Sequence, residues 1–162
     1  MESIAEIAKK IKLVITDVDG VLTDTGVYYS ERGEEMKRFS IRDGMGVERL
    51  RNVGVETAII TGEGSPSVLK RAEKLHINEL HLRVKNKIEL LGQICEKHNI
   101  TPLEIAYIGD DVNDVEMMQA VGLAASPADG MSFAKDAAHF ICSARGGHGA
   151  FREFAELIIA AQ

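Results

Sequence analysis

Two rhythms of apolar residues alternate along this chain. The runs "KLVITDV" (12–18), "ETAIIT" (56–61), "ELHL" (79–82), "EIAYIGD" (104–110), "GLAAS" (122–126) and "HFICS" (139–143) are short and predict strands. "LVIT" and "AII" show no polar alternation, the pattern of strands covered on both faces. Between these runs, apolar spacing near 3.6 residues predicts helices over 43–53, 66–75, 85–98, 111–120, 130–137 and 149–161. Ser65 ahead of Pro66 reads as a cap followed by a first helical residue. Ile4, Ile7, Ala8 and Ile11 also share helical spacing. This strand–helix alternation predicts an α/β fold, a Rossmann-like parallel sheet with helices on both faces. One segment departs from it. In "VYYSERGEEMKRF" (27–39) two short β-type runs flank "SERG", which predicts a projecting β-hairpin. No repeat, low-complexity tract or linker interrupts residues 1–162, so a single domain is expected.

Composition narrows the partners. With 162 residues, roughly 70% of the unfolded surface can be buried without metal or disulfide staples. The net charge is −6, and there is no basic run to neutralise phosphates, so nucleic acid is not an expected partner. A small anionic substrate would need local positive charge. Cys95 and Cys142 lack metal-ligand spacing and read as small buried hydrophobes in a reducing compartment. "MESIAEIAKK" is interrupted by charges and is no signal-peptide core, and no run approaches the ~20 apolar residues that cross a bilayer. A cytoplasmic protein without membrane contact is expected.

The candidate chemistry collects at strand ends. In open α/β sheets, ligands bind beyond the carboxyl ends of the strands. The first strand ends at Asp17 and Asp19, the second at Thr61-Gly62, and the fourth at "GDDVND" with Asp110, Asp111 and Asp114. Lys87 opens the helix after the third strand, with Lys85 as its rival. Carboxylates, a hydroxyl and an ammonium gathered at one edge would be costly as mere packing. They suit a divalent cation and a phosphate. A hard cation such as Mg²⁺ takes one or two carboxylates, waters and phosphate oxygens. Asp17 and Asp110 can supply the carboxylates and the backbone carbonyl of Asp19 a further oxygen, with Thr61 and Lys87 holding phosphoryl oxygens. "DVDG" as part of a calcium loop fails on register, since the further acids do not follow at the required spacing.

The set "DVDGVLT", "TG", "KNK" and "GDDVND", in that order over residues 17 to 114, resembles the haloacid dehalogenase superfamily. The resemblance implies that Asp17 is a nucleophile forming an aspartyl-phosphate. It implies that Asp19 protonates the leaving alkoxide and then deprotonates water, and that Thr61 and Lys87 stabilise the transferring phosphoryl group. Asp110 would bind Mg²⁺ beside Asp17. Asp111 and Asp114 would stand behind these ligands, Asp114 orienting Lys87 or a metal-bound water. A second carboxylate at Asp19 points to a phosphatase or mutase within the superfamily.

The segments between Asp19 and Thr61, and between Thr61 and Lys87, leave no room for a cap domain. The hairpin, "RDGMG" (42–46) and "GGHGAFRE" resemble one capless subfamily, the 3-deoxy-D-manno-octulosonate 8-phosphate phosphatases and their nonulosonate 9-phosphate relatives. That resemblance implies a homotetramer in which hairpins associate and a neighbour's tail helps close the site. Arg42 and Arg145 are candidates for a sugar-acid carboxylate, which suits guanidinium geometry. Gly62 and Glu63 are candidates for approaching the sugar, and His148 for a ligand contact. Octulosonate members often carry Arg where this chain has Glu63, which raises the nonulosonate alternative. His76, His81, His98 and His139 read as ordinary surface or core residues. A general small-sugar phosphatase and a non-catalytic oligomerisation module are the more distant readings. The intact Asp17, Asp19, Lys87 and Asp110 argue against the last.

Overall fold

The computed structural model describes residues 2–162. Its strands are β1 (Leu13–Thr16), β2 (Thr23–Ser30), β3 (Gly33–Phe39), β4 (Glu56–Ile60), β5 (Glu79–His81), β6 (Ile105–Ile108), β7 (Leu123–Ser126) and β8 (Phe140–Ile141). Its helices are α1 (Ile4–Ala8), α2 (Ile41–Asn52), α3 (Pro66–Lys74), α4 (Leu91–His98), α5 (Val115–Ala120), α6 (Ser132–Ala137) and α7 (Ala150–Ile159). Six strands form a parallel sheet in the order β5-β4-β1-β6-β7-β8. The winding reverses at β1, so the crevice above its carboxyl end is where such a sheet receives ligands.

The unbroken apolar strands follow from cover on both faces. Along β1, Val14 joins a core with α2, α3 and α7, while Leu13 and Ile15 join a second core with α4, α5 and α6. β6 divides the same way, Ala106 and Ile108 to one side, Ile105 and Tyr107 to the other. The predicted Rossmann-like α/β fold is the observed one.

Three boundaries differ from the sequence reading. The hairpin begins at Thr23 rather than at 27. Its first residues, "TDTG", carry no strand-like pattern because the pairing is irregular there. The register shifts between Thr23 and Val27, and Thr25 has φ +71, unusual for a β-branched residue. The helix predicted over 85–98 divides into a 3₁₀ turn at Lys87–Leu90 and α4, and that over 111–120 into a 3₁₀ turn at Val112–Asp114 and α5. In both, the tighter turn carries a buried polar side chain, Lys87 and Asp114.

The C-terminal helix packs into this chain's own core. Phe151, Phe154, Ala155 and Ile158 of α7 are fully buried against α2 and the sheet. The glycine loop ahead of it packs on the chain's own residues: the Gly147 amide donates to the Val21 carbonyl at 2.9 Å. A Cβ on Gly146 would stand 1.8 Å from the Gly20 oxygen, and one on Gly147, at φ +69, 2.5 Å from the Asp24 nitrogen. Asp43 caps α7 from α2, its Oδ1 accepting from the Arg152 amide at 3.0 Å.

At the edge strand β5, Glu79 gathers His81, Lys97 and His98, so two histidines read as ordinary share one carboxylate. Burial would raise that carboxyl, but hydrogen bonds from Lys97, His81 and His98 outweigh it and hold it at about 2. Cys142 is buried and Cys95 half-buried, both as free thiols. Among the described residues, no helix is long and apolar enough to cross a membrane.

Because α7 is core, Phe154→Ala should cost about 3–5 kcal/mol of unfolding free energy in urea titrations. A loss below about 1 kcal/mol, the size of a surface change, would mean that α7 docks as a separable arm.

Candidate active site

The site is built where the three central strands end. β1 delivers Asp17, whose amide donates to the Ile108 carbonyl at 3.1 Å and so extends the β1–β6 ladder by one residue. β4 delivers Thr61, buried, with its amide on the His81 carbonyl at 3.0 Å. β6 runs through Gly109 into Asp110. Gly20 turns the chain after Asp19 at φ +86, and a Cβ there would lie 1.8 Å from an Asp110 oxygen. Only glycine meets both demands, the left-handed backbone and the close approach.

Behind these residues lies a buried ion network. The Lys87 ammonium, with a side chain 1% exposed, donates to Asp114 Oδ1 at 2.7 Å and to the Tyr107 hydroxyl at 3.2 Å, and pairs with Asp17 Oδ1 at 3.0 Å. All three of its protons therefore have partners. Asp114 is fully buried and equally committed. Its Oδ1 accepts from Lys87 and from the Tyr107 hydroxyl at 2.6 Å, and its Oδ2 from the amides of Asp110 at 2.9 Å and Asp111 at 3.2 Å. Lys85, the rival, is exposed.

Oxygens of Asp17, Asp110 and Asp114 lie within 4.8 Å of one another, the spacing that could hold a metal ion. Asp114 has spent both oxygens on donors, so the acceptors left for a cation are those of Asp17 and Asp110. Three carboxylates against one ammonium leave net negative charge in a dry place. Burial raises the Asp17 carboxyl to about 7, with the charge of Asp114 adding to the rise and Lys87 opposing it. Asp110 stands at about 8, again from burial first and then from Asp17 and Asp114. Lys87 is moved the other way: burial would lower it, but Asp17 and Asp114 outweigh that and keep it charged. A hard divalent cation meets this charge imbalance and this oxygen-only donor set.

In front of the acids is a hollow of about 240 Å³ lined by Asp17, Asp19, Thr61, Gly62, Glu63 and Asp110. Thr25, Asp111 and Asn113 complete its rim. The Asp19 carboxylate, 29% exposed, pairs with Lys37 at 2.7 Å. The other expected substrate residues lie elsewhere. Arg42 and His148 border a second hollow, of about 380 Å³, together with Arg38, Ser40 and Gly147. Arg145 lines neither hollow; it is mostly exposed and faces Asp129 at 3.5 Å. The structure therefore does not bring Arg42 and Arg145 to one carboxylate-sized spot. The Gly146 amide is fixed on Asp129 Oδ1 at 2.9 Å, and this anchors Arg145 beside the same aspartate.

Sequence reasoning missed Tyr107 and Lys37. Tyr107 had a usable signal, since a phenol inside an all-apolar buried strand needs a hydrogen-bond partner. Lys37 had none, because its neighbour Arg38 is equally basic and only the hairpin's placement buries one of the two.

A capless α/β domain with two neighbouring aspartates at its strand ends and a buried lysine behind them points to a class of hydrolase, and comparison with known proteins agrees. Residues 41–122 match the family model described as a haloacid dehalogenase-like hydrolase. The 3-deoxy-D-manno-octulosonate 8-phosphate phosphatase of Escherichia coli K12 is 39% identical over 155 residues, covering 96% of this chain and 82% of that protein. A crystal structure of the Moraxella catarrhalis phosphatase of the same name, in complex with magnesium, phosphate and KDO, superimposes with a TM-score of 0.95 at 37% identity, covering 98% of this chain and 91% of that one. The cobalt-bound Haemophilus influenzae enzyme gives 0.93 at 36% identity, covering 96% and 91%. This chain belongs to the haloacid dehalogenase-like hydrolases, in the capless subfamily of octulosonate 8-phosphate phosphatases. It is a phosphoric monoester hydrolase.

The acid pair gives a pH-dependent signature. Asp17 and Asp110 keep protons in the fold that they lose above about pH 4 when unfolded. The native state therefore binds more protons than the unfolded one between about pH 4 and about pH 8, and metal-free stability falls as pH rises through that window. A bound cation displaces those protons, so saturating Mg²⁺ should raise Tm more near pH 8 than near pH 5.5. Equal Mg²⁺-induced shifts at the two pH values would show that the acids are not the ligands.

Proposed function

We propose that the chain is a Mg²⁺-dependent phosphatase of a phosphorylated 3-deoxy-2-ulosonic acid, with 3-deoxy-D-manno-octulosonate 8-phosphate as the first candidate. The observation that carries the chemistry is Asp17 itself, set between the Lys87 ammonium and Asp110 at the floor of an open hollow. Asp17 and Asp110 would hold the cation with the Asp19 carbonyl, and the bound ion would supply charge neutralisation for the incoming phosphoryl oxygens. An oxygen of Asp17 attacks phosphorus and forms the aspartyl-phosphate as the bond from phosphorus to the sugar oxygen breaks. Asp19, at the rim, gives its proton to that leaving oxygen. It then takes a proton from the water that attacks phosphorus, and inorganic phosphate leaves. Thr61 and Lys87 stabilise the charge on the transferring group, Lys87 remaining oriented by Asp114 and Tyr107.

A single structural domain over residues 1–162 fits this reading. So does assembly as a homotetramer: the hairpin exposes Tyr29 and the cross-strand pair Tyr28 and Met36, each more than half exposed. The hollow offers no lysine or arginine at its surface among the described residues, since Lys87 lies behind Asp17. The sugar carboxylate must then be received outside this hollow, with the Arg42–His148 hollow and a neighbouring subunit as sources of charge.

Glu63 favours a second reading, a nonulosonate 9-phosphate substrate. It puts a carboxylate, in place of the subfamily's common arginine, on the wall that the sugar would meet. Turnover of the two ulosonate phosphates separates the readings. In the first, kcat/KM favours the octulosonate ester, and Glu63→Arg strengthens that preference about tenfold, equal to about 1.4 kcal/mol. An unchanged ratio in Glu63→Arg removes Glu63 as the selector. Asp17→Asn should lower turnover of either ester by about 10³-fold or more. Retained activity in that variant would defeat the nucleophile assignment.

A further inference from the structure

We propose that Lys37, on the hairpin, is the positioning residue for the proton-transferring carboxylate of Asp19; this rests on the reading of Asp19 as general acid. Lys37 is an anomaly of its element. Met36 and Arg38 beside it are exposed, yet its own side chain is 1% exposed. Burying an ammonium costs several kcal/mol unless it is well paired, and a hairpin base needs no cation for its own stability. The charge is maintained there: burial would lower the lysine, but Asp19 and then Glu34 outweigh this and raise it.

Lys37 donates to Asp19 Oδ1 at 2.7 Å and faces Glu34 Oε1 at 3.5 Å. The other Glu34 oxygen accepts from the Ser65 hydroxyl. Ser65 is the residue before α3, on the loop that leaves Thr61. A polar chain therefore runs from the loop after β4, across the hairpin, to Asp19. Among the described residues, Lys37 is the one hydrogen-bond partner of the Asp19 carboxylate. Asp19 is 29% exposed at the rim of an open hollow, where an unanchored carboxylate would sample several rotamers. Holding Oδ1 fixes the group and leaves Oδ2 for the proton. Lys37 lines no part of the hollow, so it acts through Asp19 and not on the phosphate.

The test uses leaving groups, because a misplaced acid harms only those that need a proton. It compares kcat/KM for phenyl phosphate and 2,4-dinitrophenyl phosphate in the full-length Mg²⁺-loaded enzyme, which reports the step that expels the phenol and avoids the later hydrolysis step. Lys37→Met should lose about 10²-fold on phenyl phosphate and change less than about threefold on the dinitrophenyl ester. Lys37→Arg, which keeps the charge, should recover part of the loss. Should Lys37→Met not fold, Lys37→Gln carries the same comparison. Equal losses on both esters, or no loss, would overturn the proposal. Asp19→Asn is measured alongside. If Asp19→Asn discriminates between the esters and Lys37→Met does not, positioning by Lys37 is wrong while the acid assignment stands. If neither discriminates, the acid assignment itself fails.

Discussion

The Lys87 ammonium lies where water does not reach it, between Asp17 and Asp114, and its burial is offset only because both carboxylates are there. The dependence is mutual. Without that charge, three acid side chains would face one another within 4.8 Å on a low-dielectric floor. The phenol of Tyr107 completes the arrangement as a donor to Asp114 that stays protonated, since burial and the Asp114 charge hold its pKa well above the ordinary value. Asp17 is therefore held in place by the Lys87 ammonium at 3.0 Å.

The parallel sheet makes this network possible. Asp17 and Asp110 sit side by side because β1 and β6 are neighbours in register, Thr16 against Ile108. Lys87 reaches them from a 3₁₀ turn after β5, and Asp114 from a 3₁₀ turn after β6. Those tight turns are the local departure from helix that aims two long-range partners at one point. Gly20 and Gly109 supply the clearance: a Cβ at either would strike Asp110 or Asp114. The fold thus sets the strand ends, and a few backbone irregularities convert strand ends into a site.

How much of this was legible in the sequence can be judged residue by residue. The parallel α/β fold was, because β1 and β4 lack polar alternation and sequence periodicity reports burial directly. The gathering of Asp17, Thr61 and Asp110 was legible from strand ends alone. The choice between Lys85 and Lys87 was not, since a two-residue difference in a 3₁₀ turn decides which is buried. The irregular start of the hairpin at Thr23, and the burial of Lys37 rather than Arg38, depend on how the hairpin lies across the loop after β1, a tertiary fact without a local signal. The C-terminal helix was legible from its apolar spacing, but the element it packs on, α2, was not, because that contact joins residues far apart in the chain.

The contact of Gly146 and Gly147 with residues 20–24 limits how such an enzyme can be re-engineered. Randomising the C-terminal loop to obtain new substrates would seem natural, because the loop is glycine-rich and near the surface. Yet two of its positions admit no side chain without displacing the backbone beside Asp19. Any library covering the whole loop would lose most members to a distorted turn at residues 20–24. Diversity placed at Arg145 and His148 alone, both exposed on either side of the glycine pair, would leave that turn intact.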